Sequence, residues 1–172
     1  MYEEPPWVFP RRVQGFVPPK VLQFMWQAAE GKIVVMECLR RRGADVEGEG
    51  VCVLCGLERE TVQHLLLTCV FVSGIRNRIM RRESISWCVP GSVKEMLQQW
   101  NALCVGTAKE LWEVIPYAVG WTVWLARNGA IFRAEEVSLE MAWDLHITRI
   151  YWWIQAANID CDYSLHDFQQ SF

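Results

Sequence analysis

Apolar residues recur at helical spacing along most of the chain, and the elements follow from that rhythm. Val21, Phe24, Met25 and Ala28, with Trp26 beside them, form a stripe that Pro18 and Pro19 can open and Gly31 can close. A second helix is predicted over residues 33–42, closed by Gly43, and the acidic, Gly-containing residues 44–50 read as a loop. After a cysteine cluster, helical segments run to about residue 82, and residues 84–91 are irregular. Ser92 with Glu95, and Thr107 with Glu110, repeat the capping-box signature ahead of helices reaching residue 103 and residue 132. The second of these is apolar nearly all round (Leu111, Trp112, Ile115, Val119, Trp121, Val123, Trp124), which predicts a central buried helix. Ser138 with Met141, Leu145, Ile150 and Ile154 marks a last helix to about residue 158. No period-two series of strand length occurs. The predicted class is mainly α: a helical domain with a small Cys3His zinc-binding knuckle.

Four stretches follow. Residues 1–16 are an extended Pro-rich lead-in, residues 17–83 a zinc-binding domain, residues 84–158 a Trp-rich helical region packed on it, and residues 159–172 a polar, frayed tail. Ten Trp and an apolar fraction of 52% exclude a disordered chain. The net charge of −3 hides an asymmetry: residues 1–82 carry 12 Lys/Arg against 9 Asp/Glu, and residues 83–172 carry 5 against 11. A polyanion would therefore be met by the first half. No stretch approaches the ~20 apolar residues of a membrane span, and residues 1–6 (MYEEPP) lack the basic and apolar regions of a secretory signal. The expectation is an intracellular protein of nucleus or cytoplasm, not secreted, with no membrane partner and no small-molecule substrate. Seven cysteines in a reducing compartment point to metal or free thiols before disulfides.

The chemistry concentrates at Cys52, Cys55, His64 and Cys69, spaced C-x2-C, eight residues, H-x4-C. Two cysteines two residues apart can wrap a turn so that both thiolates face one ion, and Gly56 can supply the left-handed conformation such a turn needs. Thr61 can cap a short helix carrying His64. In an unbroken α-helix, positions 64 and 69 point about 140° apart, so the helix must end or unwind near Thr68 and Cys69. Three thiolates and an imidazole form a closed tetrahedral set, which implies one structural Zn2+ and no catalytic role. Binding would contribute on the order of 10–16 kcal/mol to folding. Arg59 could balance the net −1 charge of the loaded site.

Other residues offer less. Cys161 and His166 make a two-ligand pair in the tail, while Cys38, Cys88 and Cys104 read as core thiols and His146 as a packed or exposed histidine. Arg40, Arg41, Arg42, Arg76, Arg78, Arg81 and Arg82 flank the cysteine cluster and could contact phosphates. Trp143, Trp152 and Trp153 could form a protein interface. No Tyr-x-Asp-Asp and no four-carboxylate series is present, so no polymerase or nuclease centre is expected.

Several blocks together resemble the reverse-transcriptase zinc-binding domain of plant LINE-type (non-LTR) retrotransposons and derived proteins. Pro19-Lys20-Val21 with Phe24 and Trp26 resembles its opening, and Leu39 to Gly43 its L-x-x-R-G segment. Cys52, Cys55, Gly56, Glu60, Thr61, His64, Leu65 and Cys69 resemble the ligand set, with Val53 where the family usually has Pro. Trp112, Ile115, Pro116, Trp121, Trp124, Arg127, Asn128, Ile131 and Phe132 resemble the helix that follows. The resemblance implies a retrotransposon-derived, non-catalytic zinc module that binds RNA or DNA. The alternative is a co-opted regulatory module that binds a protein partner through its Trp-rich helices.

Overall fold

The computed structural model describes residues 9–103, 109–157 and 164–171. Its helices are α1 (Arg11–Phe16), α2 (Pro19–Ala29), α3 (Met36–Arg41), α4 (Val70–Arg82), α5 (Val93–Ala102), α6 (Lys109–Arg133), α7 (Leu139–Ala156) and α8 (Leu165–Ser171). Between α3 and α4 lie a tight turn at Glu47–Gly50 and a widened helical turn at His64–Thr68. Among the described residues there is no strand, only one antiparallel bridge between Val51 and Arg59. The mainly α reading holds.

The hub is α6. Residues 112–120 are buried without interruption, and α1, α2, α4, α5 and α7 all pack against this helix. Where α2 crosses it, a Cβ on Gly120 would sit 2.7 Å from the Met25 sulfur, so any larger residue would force the Met25 side chain to move. Pro116 lies inside α6 and leaves the Trp112 carbonyl without its usual donor. The Trp100 indole of α5 fills that place: its Nε1 donates to Trp112 O at 2.9 Å, and Trp112 Nε1 donates back to Trp100 O at 2.8 Å. The two rings stack at 4.7 Å. A break in one helix is thus repaired from its neighbour.

Local signals worked where the cap is local. Pro19 opens α2, Ser92 accepts from Glu95 N, and Ser138 accepts from Met141 N. The predicted Thr107 cap and Cys104 lie outside the described residues. Four expectations are corrected. Residues 11–16 are helical rather than extended, because Val13 and, just after the helix, Val17 are buried and α1 packs on α6 and α7. The tail forms α8, which buries Phe168 against Tyr151. The helix over 33–42 begins only at Met36: Ile33 and Val35 are buried and Val34 is exposed, an extended alternation suited to β-branched residues. On α7, Met141 and Leu145 face solvent, while Ala142, His146, Ile147, Ile150 and Ile154 face the core. His146 is fully buried, and desolvation pulls its pKa down to about 4, so it is neutral packing at physiological pH.

Replacing Trp100 with Phe removes the donor to Trp112 O. This should cost about 1–3 kcal/mol for the unpaired carbonyl, read as a lower urea midpoint. Adding Pro116→Ala restores a backbone N–H at that turn and should recover part of the loss. Failure of the double variant to recover would refute the repair.

Candidate metal centre

The knuckle is built by backbone hydrogen bonds that fold the chain back on itself. Cys52 N donates to Glu58 O at 2.8 Å, Gly56 N to Cys52 O at 2.8 Å, and Glu60 N to Gly50 O at 2.8 Å. Gly56 takes the left-handed conformation the turn requires, at φ 66°. Thr61 caps the next helix as predicted, its Oγ1 accepting from His64 N at 2.9 Å. The expected break takes a specific form. Cys69 N donates to His64 O at 2.7 Å, five residues back rather than four, and Cys69 itself is extended at φ −54°, ψ 135°. The wide turn stacks residue 69 on residue 64, which removes the 140° offset of a regular helix.

The four donor atoms converge within 4.8 Å of one another. Cys52 Sγ lies 4.0 Å from Cys69 Sγ, and Cys55 Sγ lies 3.3 Å from His64 Nε2. A tetrahedron with zinc–sulfur bonds of about 2.3 Å has edges of about 3.8 Å, so these separations bracket what zinc needs. Cys52 and Cys69 are sealed from solvent, His64 is nearly so, and Cys55 is half-buried. The two buried thiols are shifted in opposite directions. The thiol of Cys52 as donor lowers the pKa of Cys69, and the same contact followed by burial pushes that of Cys52 far up. Cys52, Cys55, His64 and Cys69 lie close enough to form a Cys3His zinc site.

Comparison with known families adds the decisive observation: residues 8–75 match the family described as zinc-binding in reverse transcriptase. This segment is a reverse-transcriptase zinc-binding domain. No curated protein and no solved structure matches the chain. The match starts at residue 8, inside the stretch that reads as a lead-in.

Two carboxylates of the zinc-binding domain act here without having been assigned a role from the sequence. Glu58 Oε2 lies 3.3 Å from His64 Nδ1, an ion-pair distance without hydrogen-bond alignment. Carboxylates commonly hold the second nitrogen of a metal-bound histidine, and this one leaves Nε2 for the metal. That habit of metal sites was the available signal. Arg59, expected as counter-charge, is exposed. Glu60 is fully buried. Its Oε1 accepts from Met36 N at 2.9 Å and from Arg127 Nη2 at 2.7 Å, while Oε2 accepts from Arg127 Nε at 3.2 Å. Its backbone oxygen accepts from Glu37 N at 3.1 Å. The start of α3 is therefore set by Glu60, and Glu60 is held by α6.

The arginines divide. Arg40, Arg42 and Arg81 are exposed, Arg41 is exposed beside Glu37 at 2.8 Å, and Arg82 is exposed beside Glu83 at 3.5 Å. Arg78 pairs with Glu140 and lies over the Trp143 ring at 4.7 Å. Arg76 differs from the others in being buried, with Nη1 donating to Leu67 O at 2.6 Å. Trp152 is exposed, but Trp143 and Trp153 are half-buried against the core. Cys38 is half-buried, as a core thiol would be, whereas Cys88 is exposed. His166 is exposed and paired with Gln170, and Cys161 lies outside the described residues.

Purified protein should carry about one zinc per chain by mass spectrometry, and His64→Ala should lose both the metal and helical dichroism. Glu58→Ala should keep the metal but weaken its affinity about 10–100-fold in chelator competition. Full zinc content in His64→Ala would place the ion elsewhere.

Proposed function

We propose that this chain is a non-catalytic, retroelement-derived module in which one structural zinc fixes a basic surface for binding nucleic acid. The observation that carries this reading is a convergence of arginines beside the metal centre. Arg40 and Arg41 of α3 and Arg59 of the knuckle line one cleft of about 240 Å³, together with Glu37, Gly50, Glu60 and Thr61. Among the described residues, the side chains of Arg40 and Arg59 have no ion pair or hydrogen bond. Guanidinium groups from two segments, left unneutralised in a concave site, suit a phosphodiester backbone. The closed ligand set supports a non-catalytic role, since it leaves the metal no position for a substrate.

Binding of a labelled 20-nucleotide RNA should weaken steeply with salt. Arg40→Glu with Arg59→Glu should reduce affinity at every sequence tested and lower the salt slope by about two. Equal affinity and slope for the double variant would sink the reading.

One observation favours the protein-partner alternative. Met141, Leu145 and Trp152 are 52%, 40% and 58% exposed along one outer face of α7. That apolar row suits a partner's surface, with Trp152 as anchor. On this reading, Leu145→Glu with Trp152→Ala abolishes capture of a specific protein and leaves RNA affinity untouched. Undiminished capture would count against it.

A further inference from the structure

A second cleft, of about 310 Å³, lies between α4 and the irregular residues 84–91, with Arg76, Asn77, Arg81, Ile85, Trp87 and Val89 among its walls. Among the described residues two arginines are buried, and their circumstances differ. Arg127 has Glu60 at 2.7 Å. Arg76, only 7% exposed, has no carboxylate partner among the described residues. Its Nη1 is spent on Leu67 O, its Nη2 reaches Ser73 Oγ at 3.0 Å, and the guanidinium lies 5.6 Å from the centre of the Trp87 ring. A buried cation is costly unless an anion accompanies it. Here the missing anion has a place to enter, because Arg76 borders the cleft. Arg81, on the same wall, is exposed, and its side chain makes no ion pair or hydrogen bond among the described residues. Asn77 adds an exposed amide. The same cleft is lined by Trp87, half-buried and edge-on to Trp100 at 5.7 Å, and by Val89, 43% exposed, which add an aromatic and aliphatic wall.

An anion site beside an aromatic wall selects a ligand that joins a negative charge to a planar ring. We infer that this cleft takes one nucleotide of a single-stranded nucleic acid, its phosphate between Arg76 and Arg81 and its base against Trp87, Ile85 and Val89. The inference rests on the nucleic-acid reading above and adds to it a strand preference. A base can reach the indole only when it has left its duplex stack. The volume falls at the low end of small-ligand clefts (~300–1,000 Å³), which fits one nucleotide.

The test uses the full zinc-loaded chain and fluorescence anisotropy with two probes, a labelled U10 RNA and a labelled 20-base-pair DNA duplex. Arg81→Ala and Trp87→Leu should each weaken U10 binding, the latter by about 5–150-fold, the range for loss of a stacked base. Duplex binding should stay within about twofold. Arg81→Glu changes only an exposed side chain and keeps the test valid if Trp87→Leu fails to fold. U10 affinity equal to wild type in both Arg81 variants would overturn the inference while leaving the Arg40 and Arg59 reading intact. No binding of either probe by the wild type would overturn both. Capture of a poly-glutamate peptide in place of U10, lost in Arg81→Ala, would assign the cleft to acidic protein and overturn the inference.

Discussion

A carboxylate with no access to water sits between three parts of this molecule, and all three take their positions from it. Glu60 receives the first amides of α3, stands one residue before the Thr61 cap of the helix bearing His64, and holds Arg127 of α6 in a two-pronged pair. Such a pair adds little net stability against an apolar replacement, but removing one partner strands a buried charge at about 3–5 kcal/mol. Its contribution is therefore registration: the knuckle is fixed in position relative to the long helix. The family match ends at residue 75, yet the residue that neutralises Glu60 lies 67 positions downstream. In space, the zinc-binding domain is completed by a helix outside the matched segment.

The metal centre adds a second constraint of the same kind. Three backbone bonds close the loop bearing Cys52 and Cys55, while one wide turn aligns His64 with Cys69. Wide turns of this type are rare and cluster at functional sites, since an ordinary helix offers better hydrogen bonds. Here the turn brings together two ligands that regular geometry would separate. Around the centre, charge is unevenly neutralised: Arg41 and Arg78 have acidic partners, whereas Arg40, Arg59, Arg76 and Arg81 have none among the described residues.

What could be read in the sequence tracks the distance over which each feature is determined. The ligand set, the Thr61, Ser92 and Ser138 caps and the break before Cys69 each depend on a few neighbouring residues, and each is present. The start of α3 depends on an acceptor 24 residues away, which no local pattern announces. Short helices such as α1 and α8 are marginal alone and exist because Val13 and Phe168 find a core. On α7 the apolar residues cover more than one face, and the core takes the one with Ala142 and His146 in preference to Met141 and Leu145. Arg76 carries the charge of a surface residue, but the core and the Leu67 carbonyl claim it.

Burial at the metal centre is lopsided, and this sets the order in which its ligands can be challenged. Cys52 and Cys69 are sealed, whereas Cys55 is half-buried and Glu58, behind His64, is 70% exposed. A chelator, an oxidant or a competing ion arrives from the solvent, so it meets Cys55 first and can reach the inner thiols only after the knuckle has opened. For a bound ion, attack from solvent would therefore begin at Cys55, the least protected of the four candidate ligands.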